Sequence, residues 1–158
     1  MPLLLLPEFA AALPRAGALM GVDPGEKRIG VAVSDVTRLI ASSLDTIARG
    51  KFAADAEALF KLYDARRCAG LVIGHPLNMD GSAGPSAQAA RAFARNLLAK
   101  RDLPLLMWDE RLSTAAVTRT LIESDASRKR RGEVVDKMAA AYMLQGALDA
   151  MQERRTDD

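Results

Sequence analysis

The sequence predicts an α/β fold: a mixed five-stranded sheet with helices on both faces. Three observations carry this. Residues 18–23 and 29–35 are valine-rich apolar runs joined by a Pro-Gly turn, which predicts an antiparallel hairpin. Residues 69–74, "AGLVIG", form a short continuous apolar run, the mark of a central strand covered on both faces. Helical and strand patterns then alternate to the C-terminus, which implies βαβ crossovers.

The elements follow in order. The hairpin leads to a weaker third strand over residues 39–47, "LIASSLDTI". Residues 51–67 place Phe52, Ala56, Leu59, Phe60 and Tyr63 at helical spacing. After the central strand, "HPLNMDGSAGPSA" (75–87) is dense in Gly, Pro, Asn, Asp and Ser. It reads as a long loop of the kind that carries function. A helix is expected from Pro85 to Lys100, a strand over 103–110, and a helix capped by Ser113 or Thr114 that runs to Glu123. A basic loop, "SDASRKRRGE" (124–133), leads into a strongly apolar final helix over 133–152. The order is β-β-β-α-β-α-β-α-α.

At 158 residues the chain suits one domain over residues 17–152, with an N-terminal extension at 1–16 and a polar tail at 153–158. The extension, "MPLLLLPEFAAALPRAG", lacks the positive n-region of a signal peptide. Pro7 and Glu8 close its four leucines, too short a run to span a bilayer. It is expected to form a short helical turn, packed on the domain or frayed, and the chain to be cytoplasmic with no membrane partner. One cysteine, Cys68, and one histidine, His75, exclude a disulfide within the chain and a Cys or His metal cluster. Any metal must therefore be hard and held by carboxylates, as Mg²⁺ or Mn²⁺ are. Aromatic residues make up 4% of the chain, which argues against a base-stacking single-strand binder. A net charge of +2 does not by itself imply nucleic acid.

Three acids end apolar elements: Asp23 closes the first strand, Glu110 closes the strand "LLMWDE", and Asp136 sits in the first turn of the last helix. Each has a plain structural reading, as turn-former, surface ion pair or helix-dipole partner. Together they suit one or two divalent ions acting on a phosphodiester. Asp109 rivals Glu110, because strand neighbours point to opposite faces and only one can join the site. Residue physics leaves that choice open.

Four blocks, "GVDPGEKRIGVAVSD", "VIGHPLNMDGSAGPSA", "WDERLSTAAV" and "SRKRRGEVVDKMAAAYMLQGALD", resemble in order the signatures of the YqgF/RuvX family. That family comprises pre-16S rRNA nucleases and Holliday junction resolvase-like proteins. The resemblance covers residues 18–150 and implies an RNase H-like fold. It also implies that Asp23, Glu110 and Asp136 are catalytic acids binding Mg²⁺ or Mn²⁺, which selects Glu110 over Asp109. His75 and the extension depart from the family pattern. Basic residues near the acids are candidate nucleic-acid contacts: Lys27 and Arg28 at the hairpin tip, Arg111, and the run Arg128, Lys129, Arg130, Arg131. Asn78, Asp80, Gly81 and Ser82 are expected to shape the substrate cleft. The implied substrate is pre-rRNA within ribosomal precursor particles, with branched DNA as the alternative. A non-catalytic RNase H-like module would be expected to lose one of the acids. An actin-like phosphotransferase would need a longer chain with a second phosphate loop. Monomer and homodimer both stay open.

Overall fold

The computed structural model describes residues 3–112 and 128–157, with side chains for 3–111 and 138–154. The expected helix over 113–123 lies outside the described residues. A short helix α1 (Leu6–Ala12) precedes strands β1 (Ala18–Pro24), β2 (Arg28–Ser34) and β3 (Ala41–Ala48). Helix α2 (Phe52–Ala65), strand β4 (Cys68–His75), helix α3 (Pro85–Lys100) and strand β5 (Leu105–Asp109) follow. A 3₁₀ turn (Glu110–Leu112) comes next, and helix α4 (Arg128–Asp157) closes the chain.

The sheet order is β3-β2-β1-β4-β5, with the β3–β2 and β2–β1 pairs antiparallel and the β1–β4 and β4–β5 pairs parallel. This is the hairpin followed by crossovers that the sequence predicts. Alternation along the strands divides the core in two. Met20, Val22, Leu71, Ile73 and Leu105 point towards α2 and α3 and meet Leu59, Tyr63, Phe93 and Leu97 there. Leu19, Val72, Leu106 and Trp108 point the other way, onto α1 and α4.

Helix α4 buries Ala140, Met143, Leu144, Ala147, Leu148 and Met151, a stripe with the spacing of one helical face. It runs antiparallel to β1. Leu144 lies over Gly21, where an added Cβ would come within 2.9 Å of the Leu144 Cβ. Gln145 donates to the Leu39 carbonyl and accepts from the Ala41 amide, at the β2–β3 connection. Glycine at position 21 lets the helix approach the sheet this closely.

Two expectations change. Helix α4 begins at Arg128, so the basic run opens the helix and does not form a loop before it. Arginine and lysine are good helix formers, and the single Gly132 does not break the run. Asp136 consequently lies two turns into α4, away from the N-terminal dipole that its plain structural reading relied on. The fifth strand is also shorter than 103–110. It ends at Asp109, and Glu110 opens the 3₁₀ turn.

The N-terminal stretch packs against the sheet. The Leu4 amide donates to the Leu105 carbonyl and Leu4 bridges Leu106, so a short segment lies along the outer edge of β5. Phe9 is fully buried on the α4 side of the sheet.

Candidate active site

The site lies at the C-terminal ends of the parallel strands, on the face that α4 covers. Asp23 is the last residue but one of β1 and shares its face with Leu19 and Gly21 by the two-residue period of a strand. It is 7% exposed, although it sits at the rim of the sheet. Val22 pairs with Ile73 in the neighbouring strand, so Asp23 lies alongside Gly74. Gly74 in turn pairs with Trp108 of β5.

Glu110 reaches back over this glycine. A Cβ at position 74 would stand 2.4 Å from the Glu110 Oε1, which is itself buried. Only a glycine leaves room for the carboxylate there. Two carboxylates thus flank one glycine on one face of the sheet, at the ends of the strands on either side of β4.

Asp109 is directed elsewhere. It is in register with His75, on the α3 side, and binds Arg111 through both oxygens, with Nη2–Oδ2 at 2.7 Å and Nε–Oδ1 at 3.0 Å. Hydrogen bonding to Arg111 holds the Asp109 carboxyl below its ordinary range and raises the Arg111 guanidinium. Arg111 also donates to the Met79 carbonyl at 3.3 Å. It therefore clasps the 76–84 loop to the end of β5, and much of its donor capacity is engaged within the protein.

That loop is a compact turn. The Asp80 carboxylate accepts from the Ser82 amide and hydroxyl, which lowers its pKa. Asn78 donates through its side-chain amide to the Ser82 hydroxyl, and Gly81 takes a left-handed φ of 88°. The loop and the clasp stand at the same edge of the sheet as Asp23 and Glu110.

At the hairpin tip Lys27 is exposed and Arg28 begins β2. Sequence reasoning missed Arg49, which donates from its backbone to the Lys27 carbonyl and from its guanidinium to the Gly25 carbonyl. Arg49 also lies 5.3 Å over the Phe93 ring. It braces the turn that follows Asp23. Gly74 was missed as well, and a glycine closing an otherwise apolar strand is the signal that could have found it.

Asp136 belongs to the part of α4 that continues past Ala140 towards the Asp23 end of β1. The side chains of Asp136, Arg128, Lys129, Arg130 and Arg131 lie outside the described residues. Among the described residues no three His, Cys, Asp or Glu side chains converge as a metal site. The Asp23–Glu110 pair nonetheless fits a hard divalent cation. Its donors are carboxylate oxygens, and the missing side chain of Gly74 leaves the Glu110 carboxylate room over the sheet.

His75 is 8% exposed and its buried Nε2 has no hydrogen-bond partner in the structure. Burial and the nearby Arg91 lower its pKa below the ordinary 6.5, against an opposing pull from Asp109. The unfolded chain therefore takes up a proton at a higher pH than the folded one. The neutral histidine contributes stability above about pH 6.5 that is lost as the pH falls below it. Thermal melts of the wild type and of His75→Gln between pH 8 and 5 are expected to diverge, with the wild type losing more on the acid side. Parallel curves would rule His75 out as the responsible group.

This sheet order, with carboxylates at strand ends on either side of β4, defines an RNase H-like protein. Among solved structures the chain resembles Thermus thermophilus RuvC in complex with a Holliday junction substrate, with a TM-score of 0.52 and 13% identity. That match covers 88% of this chain and 96% of the other. It resembles the yeast mitochondrial Holliday junction resolvase Ydc2 with a TM-score of 0.51 and 12% identity, covering 96% and 87%. At such identities the likeness is one of fold. The chain belongs to the RuvX family, whose model, described as Holliday junction resolvase, matches residues 17–150. A Caulobacter vibrioides protein named "Putative pre-16S rRNA nuclease" is 61% identical over 154 residues, spanning 96% of this chain and 99% of its own length. A Rhodospirillum rubrum protein of the same name is 58% identical over 158 residues, spanning 99% and 98%.

Proposed function

We propose that this RuvX-family chain is a metal-dependent nuclease that hydrolyses phosphodiester bonds in the 5′ region of pre-16S rRNA. The observation that carries the reading is the seating of Glu110 over Gly74 beside the buried Asp23. Two carboxylates brought together at the C-terminal rim of the sheet offer the hard oxygen donors that a divalent cation takes. The names of its relatives supply the substrate, and their near full-length similarity supports the transfer.

Asp23 and Glu110, joined by Asp136 from α4, would hold one or two Mg²⁺ or Mn²⁺ ions. Such ions supply an activated water and neutralise charge developing on the phosphate. The rest falls to the chain. Arg128, Lys129, Arg130 and Arg131 open α4, where basic side chains and the backbone amides of the helix start would favour phosphate. Lys27 and Arg28 approach from the hairpin tip. Asn78, Asp80, Gly81 and Ser82 form the wall that Arg111 fixes against β5, so Arg111 serves more to shape the cleft than to grip substrate. Among the described residues no helix is long and apolar enough to cross a membrane. A cytoplasmic protein acting on ribosomal precursor particles follows from this reading.

Holliday junction cleavage is the second reading, favoured by the description of the family model. The purified chain should be incubated with a precursor rRNA fragment and a four-way DNA junction, each with Mg²⁺, Mn²⁺ or EDTA. Metal-dependent cutting of the RNA at its 5′ region is expected. Cutting of the junction alone would transfer the activity to the second reading. Cutting of neither, under any metal, would overturn the nuclease assignment.

A further inference from the structure

Met79 is 91% exposed, the most exposed large apolar side chain among the described residues. The others lie elsewhere. Val36, Leu39 and Ile40 belong to the β2–β3 connection, Tyr142 lies on α4 over β3, and Leu5 precedes α1. Among the described residues, Met79 alone of this set stands at the rim that carries Asp23 and Glu110.

Its backbone is held firmly there. His75, which ends β4, pairs with Asp109, which ends β5, so the 76–84 loop and Glu110 leave the sheet side by side. The Met79 carbonyl accepts from the guanidinium of Arg111, the residue after Glu110, and that guanidinium is bound to Asp109. Around it the turn is closed. The Asn78 amide donates to the Ser82 carbonyl, and the Gly81 amide to the Asn78 carbonyl. A braced turn thus keeps an apolar side chain in water beside the carboxylates.

Such a side chain gains by covering an apolar surface of the ligand, and in a nucleic acid that surface is the face of a base. The thioether is polarizable and packs well on aromatic rings, and methionine is one of the apolar side chains that wedge between base steps. Trp108, the aromatic residue paired with Gly74 at this rim, is 6% exposed and turned into the core. We propose that Met79 is a specificity-determining residue, packing on the face of an unpaired base next to the cut. A continuous duplex keeps its bases stacked on one another and offers no such face. The contact therefore selects RNA with an unpaired nucleotide in the cleft. The inference rests on the nuclease reading and names the form of its substrate.

The test uses the full-length chain and three fluorescent RNAs: a fully paired duplex, the same duplex with a single-stranded 5′ extension, and a version whose extension keeps its phosphates but is abasic. Anisotropy titrations are run in EDTA, which prevents cleavage, and again with Ca²⁺ in place of Mg²⁺. The wild type should bind the intact extension about three- to tenfold more tightly than the abasic one. Met79→Ala should bind the two alike. Leucine at position 79 should restore most of the preference, and glutamine, of similar length but polar, should not. All three substitutions fall at an exposed position, and unchanged melting without RNA confirms the fold. A second readout is the NMR signal of isotope-labelled methionine methyl groups, with Met79 assigned as the signal missing from Met79→Leu. The ring current of a base should move that signal on adding the intact extension and leave it in place with the abasic one. Equal preference in the wild type and Met79→Ala, with the methyl signal unmoved while RNA binds, would overturn the role of Met79 and leave the nuclease reading standing. If the wild type binds none of the RNAs, the nucleic-acid reading falls and the inference with it.

Discussion

Asp23→Asn is expected to lower the cleavage rate by two to three orders of magnitude while leaving the fold intact. Asparagine has nearly the shape of aspartate but offers no negative charge to a divalent ion. Loss of a ligand that stabilises the transition state by several kcal/mol corresponds to about 10²–10³-fold in rate. The metal-free protein should keep its fold, because the substitution changes neither the volume nor the shape of the side chain appreciably. Two measurements separate these effects. Single-turnover cleavage in Mg²⁺ reports the lost chemistry. Melting with and without Mn²⁺ reports the lost ligand, since a cation that binds only the folded state raises the Tm of the wild type and not of the variant. A variant that cuts at the wild-type rate would remove Asp23 from the site.

Gly74→Ala should be nearly as damaging, although it adds one methyl group and changes no charge. The new Cβ would stand 2.4 Å from the Glu110 Oε1, closer than the two atoms can pack. The carboxylate must swing away, and a displacement of about 1 Å at a catalytic group can cost about 10²-fold. Strand geometry itself favours alanine over glycine, so stability should change little. Trp108, the single tryptophan, pairs with Gly74 in the sheet and provides a local reporter. Its quenching by Mn²⁺ should require a higher concentration in the variant than in the wild type. Adding Glu110→Asp shortens the acid by one methylene and should recover part of the lost affinity. Wild-type cleavage and Mn²⁺ affinity in Gly74→Ala would show that Glu110 does not depend on this gap.

The sheet was legible because its central strands are apolar on both faces and need no knowledge of their partners. Residues 69–74 could hardly be anything but an interior strand. The phase of α2 was equally plain, with Ala56, Leu59 and Tyr63 all buried. The ends of elements were harder, because they depend on tertiary contacts. Glu110 leaves the strand since the chain turns back over Gly74, and neither residue announces that meeting alone. Asp109 and Glu110 are adjacent acids of similar local character. What separates them is that Arg111 takes up Asp109 on the α3 side. The basic run reads as a loop by charge and by Gly132, yet helix propensity carries α4 through it. Four leucines near the N-terminus are too short a pattern to reveal that Leu4 joins the sheet about a hundred residues away.

That last contact has a temporal side. Leu4 is made about a hundred residues before Leu105 and Leu106, the strand it lies along. At ~5–20 residues per second, translation leaves an interval of about 5–20 s between them. Throughout it the segment at Leu4 has no β5 edge to pair with, while β1 to β4 are still being made. The edge of β5 is thereby covered by the oldest part of the chain.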